Sequence, residues 1–184
     1  MRRWKVLLSL AFIPLLAAAE EKSPPAGWKE VAGGYKKQAY TVWLPVEGKL
    51  DESESSLVSP RYGQIRIFRT VCERKDGSVL AAGEILLPPG LTRATPKVRQ
   101  DFLRDQFLEE VNGKLLEEKK TNLGTMAGRE YLVETPSGMA RFRLFGTGVR
   151  IFRVAFIGTK ERVESKDAEI FFQSFKRTPA PTGG

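Results

Sequence analysis

Residues Leu123 to Gly158 read LGTMAGREYLVETPSGMARFRLFGTGVRIFRVAFIG, and the architecture follows from how this segment is divided. Two clusters of turn-forming residues, Thr135-Pro136-Ser137-Gly138 and Gly146-Thr147-Gly148, separate it into three strand-length pieces. That is the pattern of an antiparallel meander. Side chains alternate across a strand, so Met139 to Phe145 places Ala140, Phe142 and Leu144 on one face and Met139, Arg141, Arg143 and Phe145 on the other. The next piece divides into Val149, Ile151, Arg153, Ala155, Ile157 and Arg150, Phe152, Val154, Phe156. Both faces are apolar and both are interrupted by arginine, which predicts a sheet covered on both sides.

Cover is available at each end of the meander. C-terminal to it, Ser165 is placed to cap a helix in which Ala168, Phe171, Phe172 and Phe175 recur at i, i+3, i+4 and i+7, a single aromatic face. N-terminal to it, Thr95-Pro96 reads as a cap followed by proline at the first helical position, with a helix to Asn112 and Gly113 as its stop. Leu103, Phe107 and Val111, with Leu108 alongside, form its expected buried stripe. Lys114 to Thr121 has helical composition but follows the Asn112-Gly113 break, and we read it as a strand.

Earlier in the chain, Tyr62 to Arg74 and Ser78 to Leu87 predict a long hairpin around Lys75-Asp76-Gly77, ended by Pro88-Pro89-Gly90. Tyr35 to Leu44 reads as a strand with Tyr40, Val42 and Leu44 on one face. The acidic, serine-rich run Glu47 to Pro60 reads as a solvated loop. Cys72 lies in a strand-like run and reads as a half-buried small hydrophobe; a lone cysteine forms no internal disulfide.

The first residues carry a different signal. Arg2, Arg3 and Lys5 precede an apolar run from Val6 to Leu16 and the small residues Ala17-Ala18-Ala19, the layout of a secretory signal peptide with Glu20 as the new N-terminus. The apolar run is shorter than the ~20 residues of a spanning helix. No cysteine follows the small residues, so the pattern is not that of a lipid anchor. The expected organisation is a signal peptide over 1–19, a linker over 20–27, one domain over 28–177 and a disordered tail over 178–184, with export to the periplasm or the exterior. Among 184 residues there are 30 basic and 22 acidic side chains. Losing Arg2, Arg3 and Lys5 leaves 27 against 22, a net +5, too mild for a nucleic-acid-binding chain.

Residue chemistry narrows the function. The chain has no histidine, which excludes His-based nucleophile systems and imidazole metal sites, and one cysteine excludes a thiolate zinc site. The glycine sets at Gly124-x-x-x-Gly128 and Gly146-x-Gly148 lack the context of phosphate-binding loops and read as turns. Glu109-Glu110 and Glu117-Glu118 are adjacent pairs whose members point apart, and they read as solvated.

Several segments resemble the small PsbP-like domains of exported bacterial proteins. They are Tyr40-Thr41-Val42-Trp43-Leu44-Pro45, Gly124-Thr125-Met126-Ala127-Gly128-Arg129-Glu130-Tyr131, Val149-Arg150-Ile151-Phe152-Arg153-Val154 and Ala168-x-x-Phe171-x-x-Ser174-Phe175. The similarity runs from about Trp28 to Arg177. It implies an α+β fold, an antiparallel β-sheet covered by helices on both faces in an α/β/α sandwich. It brings no catalytic residues with it.

The function expected is therefore an exported, non-catalytic binding module without metal or cofactor, whose partner is an envelope protein or a small anionic ligand. Two alternatives stand beside it: a carboxylate- or cofactor-dependent envelope enzyme, and adhesion to an anionic envelope surface, which high salt would weaken. Candidate binding residues are Arg129 and Glu130 at a strand start, Arg141 and Arg143 on one strand face, and Arg150 and Arg153 across the Gly146-Gly148 turn. Arginines in an apolar sheet must reach solvent, a carboxylate such as Glu130 or Glu134, or a bound anion. A groove that recognises an acidic group is one reading of the set, and internal pairing or edge exposure is the other.

Overall fold

A computed structural model describes residues 23–179, so the expected signal peptide over 1–19, the first linker residues and residues 180–184 lie outside the described residues. β1 (Trp28–Gly33) and β2 (Tyr40–Pro45) form a hairpin, and β3 (Lys49–Ser59), β4 (Gly63–Glu73) and β5 (Val79–Leu86) form an antiparallel meander. The short α1 (Pro89–Thr92) and the longer α2 (Pro96–Glu110) then lead to β6 (Lys114–Leu123). A second meander follows in β7 (Met126–Thr135), β8 (Gly138–Thr147) and β9 (Arg150–Gly158). The described chain closes with α3 (Lys160–Val163), α4 (Lys166–Ser174) and the two-residue β10 (Lys176–Arg177).

The two meanders join edge to edge through β5 and β9, giving one seven-stranded sheet in the order β3-β4-β5-β9-β8-β7-β6. Every neighbouring pair is antiparallel. The segment from Leu123 to Gly158 thus supplies three adjacent interior strands. Its turns fall close to where expected, the second at Gly148-Val149, and Gly146, near the end of β8, has φ 131°, where an added Cβ would stand 2.4 Å from the Arg150 carbonyl oxygen. A second, three-stranded sheet pairs β1 and β10 with the two edges of β2.

Core residues fall into two clusters on opposite sides of the large sheet. One joins Leu80, Ala82, Phe145, Phe152, Val154 and Phe156 to Tyr40, Val42 and Leu44 of β2 and to Ala168, Phe171, Phe172 and Phe175. The other joins Ile65, Ile85, Tyr131, Val133, Phe142, Leu144, Ile151 and Ala155 to Leu91, Leu103 and Phe107. The fold is mixed α+β with mostly antiparallel sheet. Caps appear where the sequence places them: Thr95 Oγ1 accepts from the Val98 amide at 3.3 Å and Ser165 Oγ from the Ala168 amide at 3.3 Å.

The largest correction concerns Glu47 to Pro60, expected as a loop. Residues 49–59 form β3, paired with β4 along eleven residues. It is an edge strand whose Asp51, Glu52 and Glu54 are exposed, so acidic and serine residues sit where charge blocks further strand pairing. The strand expected from Tyr35 is shorter, since Tyr35–Lys37 form a 3-10 turn with Lys36 and Lys37 at φ 53° and 57°, and β2 starts at Tyr40. The expected linker is tied down at its end: the Trp28 amide donates to the Pro25 carbonyl at 3.0 Å, and the Gly27 carbonyl accepts from the Val46 amide at 2.9 Å. The first long helix ends at Glu110, with Asn112 in the left-handed conformation at φ 48°, and Leu108 and Val111 are only half-buried. Cys72 is fully buried.

Candidate functional site

Strand register sorts the candidate arginines. In β7 and β8, Glu130 lies opposite Arg143 and Leu132 opposite Arg141, while Arg129 lies opposite Leu144. Alternation therefore sends Glu130, Arg141 and Arg143 to the side of α4, and Arg129 and Arg153 to the side of α2. Arg150 shares the α4 side but sits at the far end of β9, beside Leu86.

Glu130 is the hub of the first group. It is 4% exposed. Its Oε2 accepts from Arg141 Nη2 at 3.0 Å and from Arg143 Nε, and its Oε1 meets Lys119 Nζ at 2.9 Å. Arg141 also donates to Glu169 of α4, and the Arg141 and Arg143 guanidinium groups lie 4.8 and 4.6 Å from the Phe172 ring centre. Burial alone pushes the Glu130 carboxyl up, but the hydrogen bonds from Arg141, Lys119 and Arg143 outweigh it and bring its pKa down to about 2. Arg141, whose burial disfavours charge, is held above the usual guanidinium value by Glu130 and Glu169.

A cleft of about 310 Å³ opens beside this group. Glu117, Glu130, Glu164 and Glu169 line it against Lys119 and Arg141, four carboxylates to two cations. Its excess charge is negative. Arg141 is paired with Glu130 and Glu169 and Arg143 with Glu130, and the carboxylate excess of the cleft lining disfavours an anion.

Each remaining candidate also has a carboxylate. Arg129 pairs with Glu118, which also meets Arg104 Nη1 at 3.3 Å. Arg150 Nε donates at 2.5 Å to Glu84, a fully buried carboxylate that also accepts from the Tyr35 amide at 2.8 Å. Glu134, the other carboxylate expected to pair with an arginine, is exposed, and no ion pair to it occurs among the described residues.

Arg153 is in a different position. It is 8% exposed, with its guanidinium 4.8 Å from the Phe107 ring centre. Its Nη1 donates to Glu110 Oε2 at 2.9 Å, while Arg69 Nη1 donates to Glu110 Oε1 at 2.7 Å. One carboxylate thus serves two guanidinium groups. Burial lowers the Arg153 pKa, Glu110 opposes that effect, and Arg69 adds to the lowering. Register explains the meeting of the arginines: Gly83 of β5 lies between Arg69 on β4 and Arg153 on β9 and puts no side chain between them. Arg69 Nε is buried without a hydrogen-bond partner. Both arginines border a cleft of about 440 Å³ walled by Leu57, Ile65, Ile67, Ile85 and Leu103.

Sequence reasoning finds Arg153 and misses Arg69, Glu84 and Glu110. Glu110, read as solvated, is an ion-pair partner because the last turn of α2 carries it over Gly83. Spacing could not reveal that, since the pairs are 41 and 43 residues apart. Among the described residues, no group of three or more His, Cys, Asp or Glu is arranged to hold a metal ion, and no helix is long and apolar enough to cross a membrane.

No protein-family model matches the chain. Comparison with curated proteins finds no match either. Among solved structures the chain is similar to the solution structure of cyanobacterial PsbP (CyanoP) from Synechocystis sp. PCC 6803, with 11% sequence identity and a TM-score of 0.53 over 84% of this chain and 94% of that one. Likeness at that identity is one of backbone architecture, and it matches the resemblance carried by the segments around Tyr40, Glu130, Arg153 and Phe171: this chain has a PsbP-like fold.

Proposed function

We propose that the protein is an exported, non-catalytic binding module, with its seven-stranded sheet as the middle layer of a PsbP-like α/β/α sandwich. Its ligand is a small anion, and the binding residues are Arg153 and Arg69. The observation that carries this reading is the shared carboxylate: two guanidinium groups, one of them buried, have Glu110 as their common ion-pair partner. A buried cation without a full counter-charge is costly, and an incoming carboxylate or phosphate relieves that cost while taking up forked guanidinium donors. Glu109, also at this cleft, is exposed and accepts from Gln106 Nε2 at 3.2 Å, so it does not complete the arginines. The cleft beside Glu130 does not share this character, since the carboxylates that line it outnumber the cations that line it.

The test is a titration with acetate and benzoate, followed through the Nε–H signals of the arginine side chains. Arg153 and Arg69 signals should shift in a saturable way in the wild-type protein and fail to do so in Arg153→Gln. Absence of any saturable shift at Arg153 or Arg69 refutes the reading.

A further inference from the structure

The cleft that receives Arg153 is mostly apolar away from its charged end. Ile65 and Ile85 of the sheet and Leu103 of α2 are buried in the cluster on that side, and Leu57 and Ile67 pack against it half-buried. These side chains come from β3, β4, β5 and α2, and the charged end lies where Arg69, Gly83 and Arg153 stand side by side in the register. Gly83 puts no side chain between the two arginines, and a Cβ there would lie 3.0 Å from the Phe68 carbonyl oxygen and 3.6 Å from Arg69 Cγ. The site thus pairs a cationic end with an apolar body. A volume of about 440 Å³ lies within the range of small-molecule sites. At ~30 Å³ for each water-sized group, it holds on the order of ten to fifteen non-hydrogen atoms.

Resting on the anion-binding reading above, we infer that the ligand is an amphipathic monoanion: a carboxylate on an unbranched apolar chain of roughly eight to ten carbons, headgroup on Arg153 and Arg69, chain along Ile65, Ile67 and Leu103. A bare inorganic anion satisfies the arginines and leaves the apolar walls wet. An uncharged hydrocarbon does the reverse. Only a molecule with both parts removes the uncompensated charge and the exposed apolar surface together.

The experiment is a titration of the protein with acetate, hexanoate, octanoate and decanoate, and with decanol as the uncharged control. The readouts are the Arg153 and Arg69 Nε–H signals and the methyl signals of Ile65, Ile67 and Leu103. Affinity should rise about three- to fourfold per added methylene, as expected when each is taken out of water. Decanol should bind at least about tenfold more weakly than decanoate. Arg69→Gln, at a side chain 29% exposed, should weaken decanoate about tenfold without disturbing the fold, and it stands in for Arg153→Gln should that variant unfold. Acetate and decanoate binding equally at Arg153 would overturn the inference and leave the anion site standing. Equal binding of decanol and decanoate would also overturn it. No binding of any anion would overturn both readings.

Discussion

Replacing Glu130 with glutamine removes one charge and little volume, so it isolates what the buried ion-pair hub contributes. The carboxyl titrates at 4.5 in the open chain and at about 2 in the fold. Because the folded value is depressed, the contribution is fully present above pH ~4.5 and is lost as pH falls towards 2. Converted through linkage, that difference is about 3 kcal/mol at neutral pH and about half of that at pH 3. Little solvent screening applies, since the Glu130 side chain is 5% exposed and those of Arg141 and Arg143 are each 15% exposed. Glu130→Gln should therefore lose about 3 kcal/mol at pH 7 in urea unfolding, equivalent to a fall of about 10 °C in Tm. The gap to wild type should shrink to about 1.5 kcal/mol at pH 3. Glu130→Ala should be worse, about 3–5 kcal/mol, because it leaves Arg143 half-buried with nothing in Glu130's place. A constant gap between pH 7 and pH 3, or a variant as stable as wild type at pH 7, would refute the hub.

Three other outcomes are expected. Phe171→Ala empties a fully buried position packed against Phe156 and Phe172 and should cost about 3–5 kcal/mol; a melting curve within a degree of wild type would contradict the placing of α4. Glu84→Ala should cost about 2 kcal/mol and speed amide hydrogen exchange at Tyr35, whose N–H loses its acceptor, and unchanged exchange there would remove Glu84 from its anchoring role. Intact mass of the native protein should correspond to a chain that begins at Glu20, and retention of residues 1–19 in a membrane fraction would contradict a cleaved signal peptide.

Local chemistry is enough for much of the architecture. The Asp76-Gly77 hairpin, the two turns of the second meander, the Thr95 and Ser165 caps and the aromatic face of α4 depend on residues close in sequence, whose preferences act before any long-range contact forms. Lys114 to Leu123 is legible only because Asn112-Gly113 breaks the chain before it; its composition favours helix, and pairing with β7 overrides that. The β3 edge is not legible. Its residues Asp51 to Ser56 carry no apolar alternation, and the ladder to β4 supplies through the backbone what the side chains do not signal.

The site divides along the same line. Alternation in the strand places Arg141 and Arg143 on one face, and the rule that buried cations need partners points to nearby carboxylates such as Glu130 and Glu134 without choosing between them. From the residues alone it follows that these arginines must be paired or bound. Which of those outcomes holds at each position is settled by contacts between distant parts of the chain. Glu130 and Glu169 fill the coordination of Arg141, whereas Arg69 and Arg153 arrive from strands on either side of Gly83 to share a single Glu110. Whether a charge is compensated depends on how many opposite charges lie within a few ångströms in space, and that number is set by strand register and by the last turn of a helix packed across the sheet.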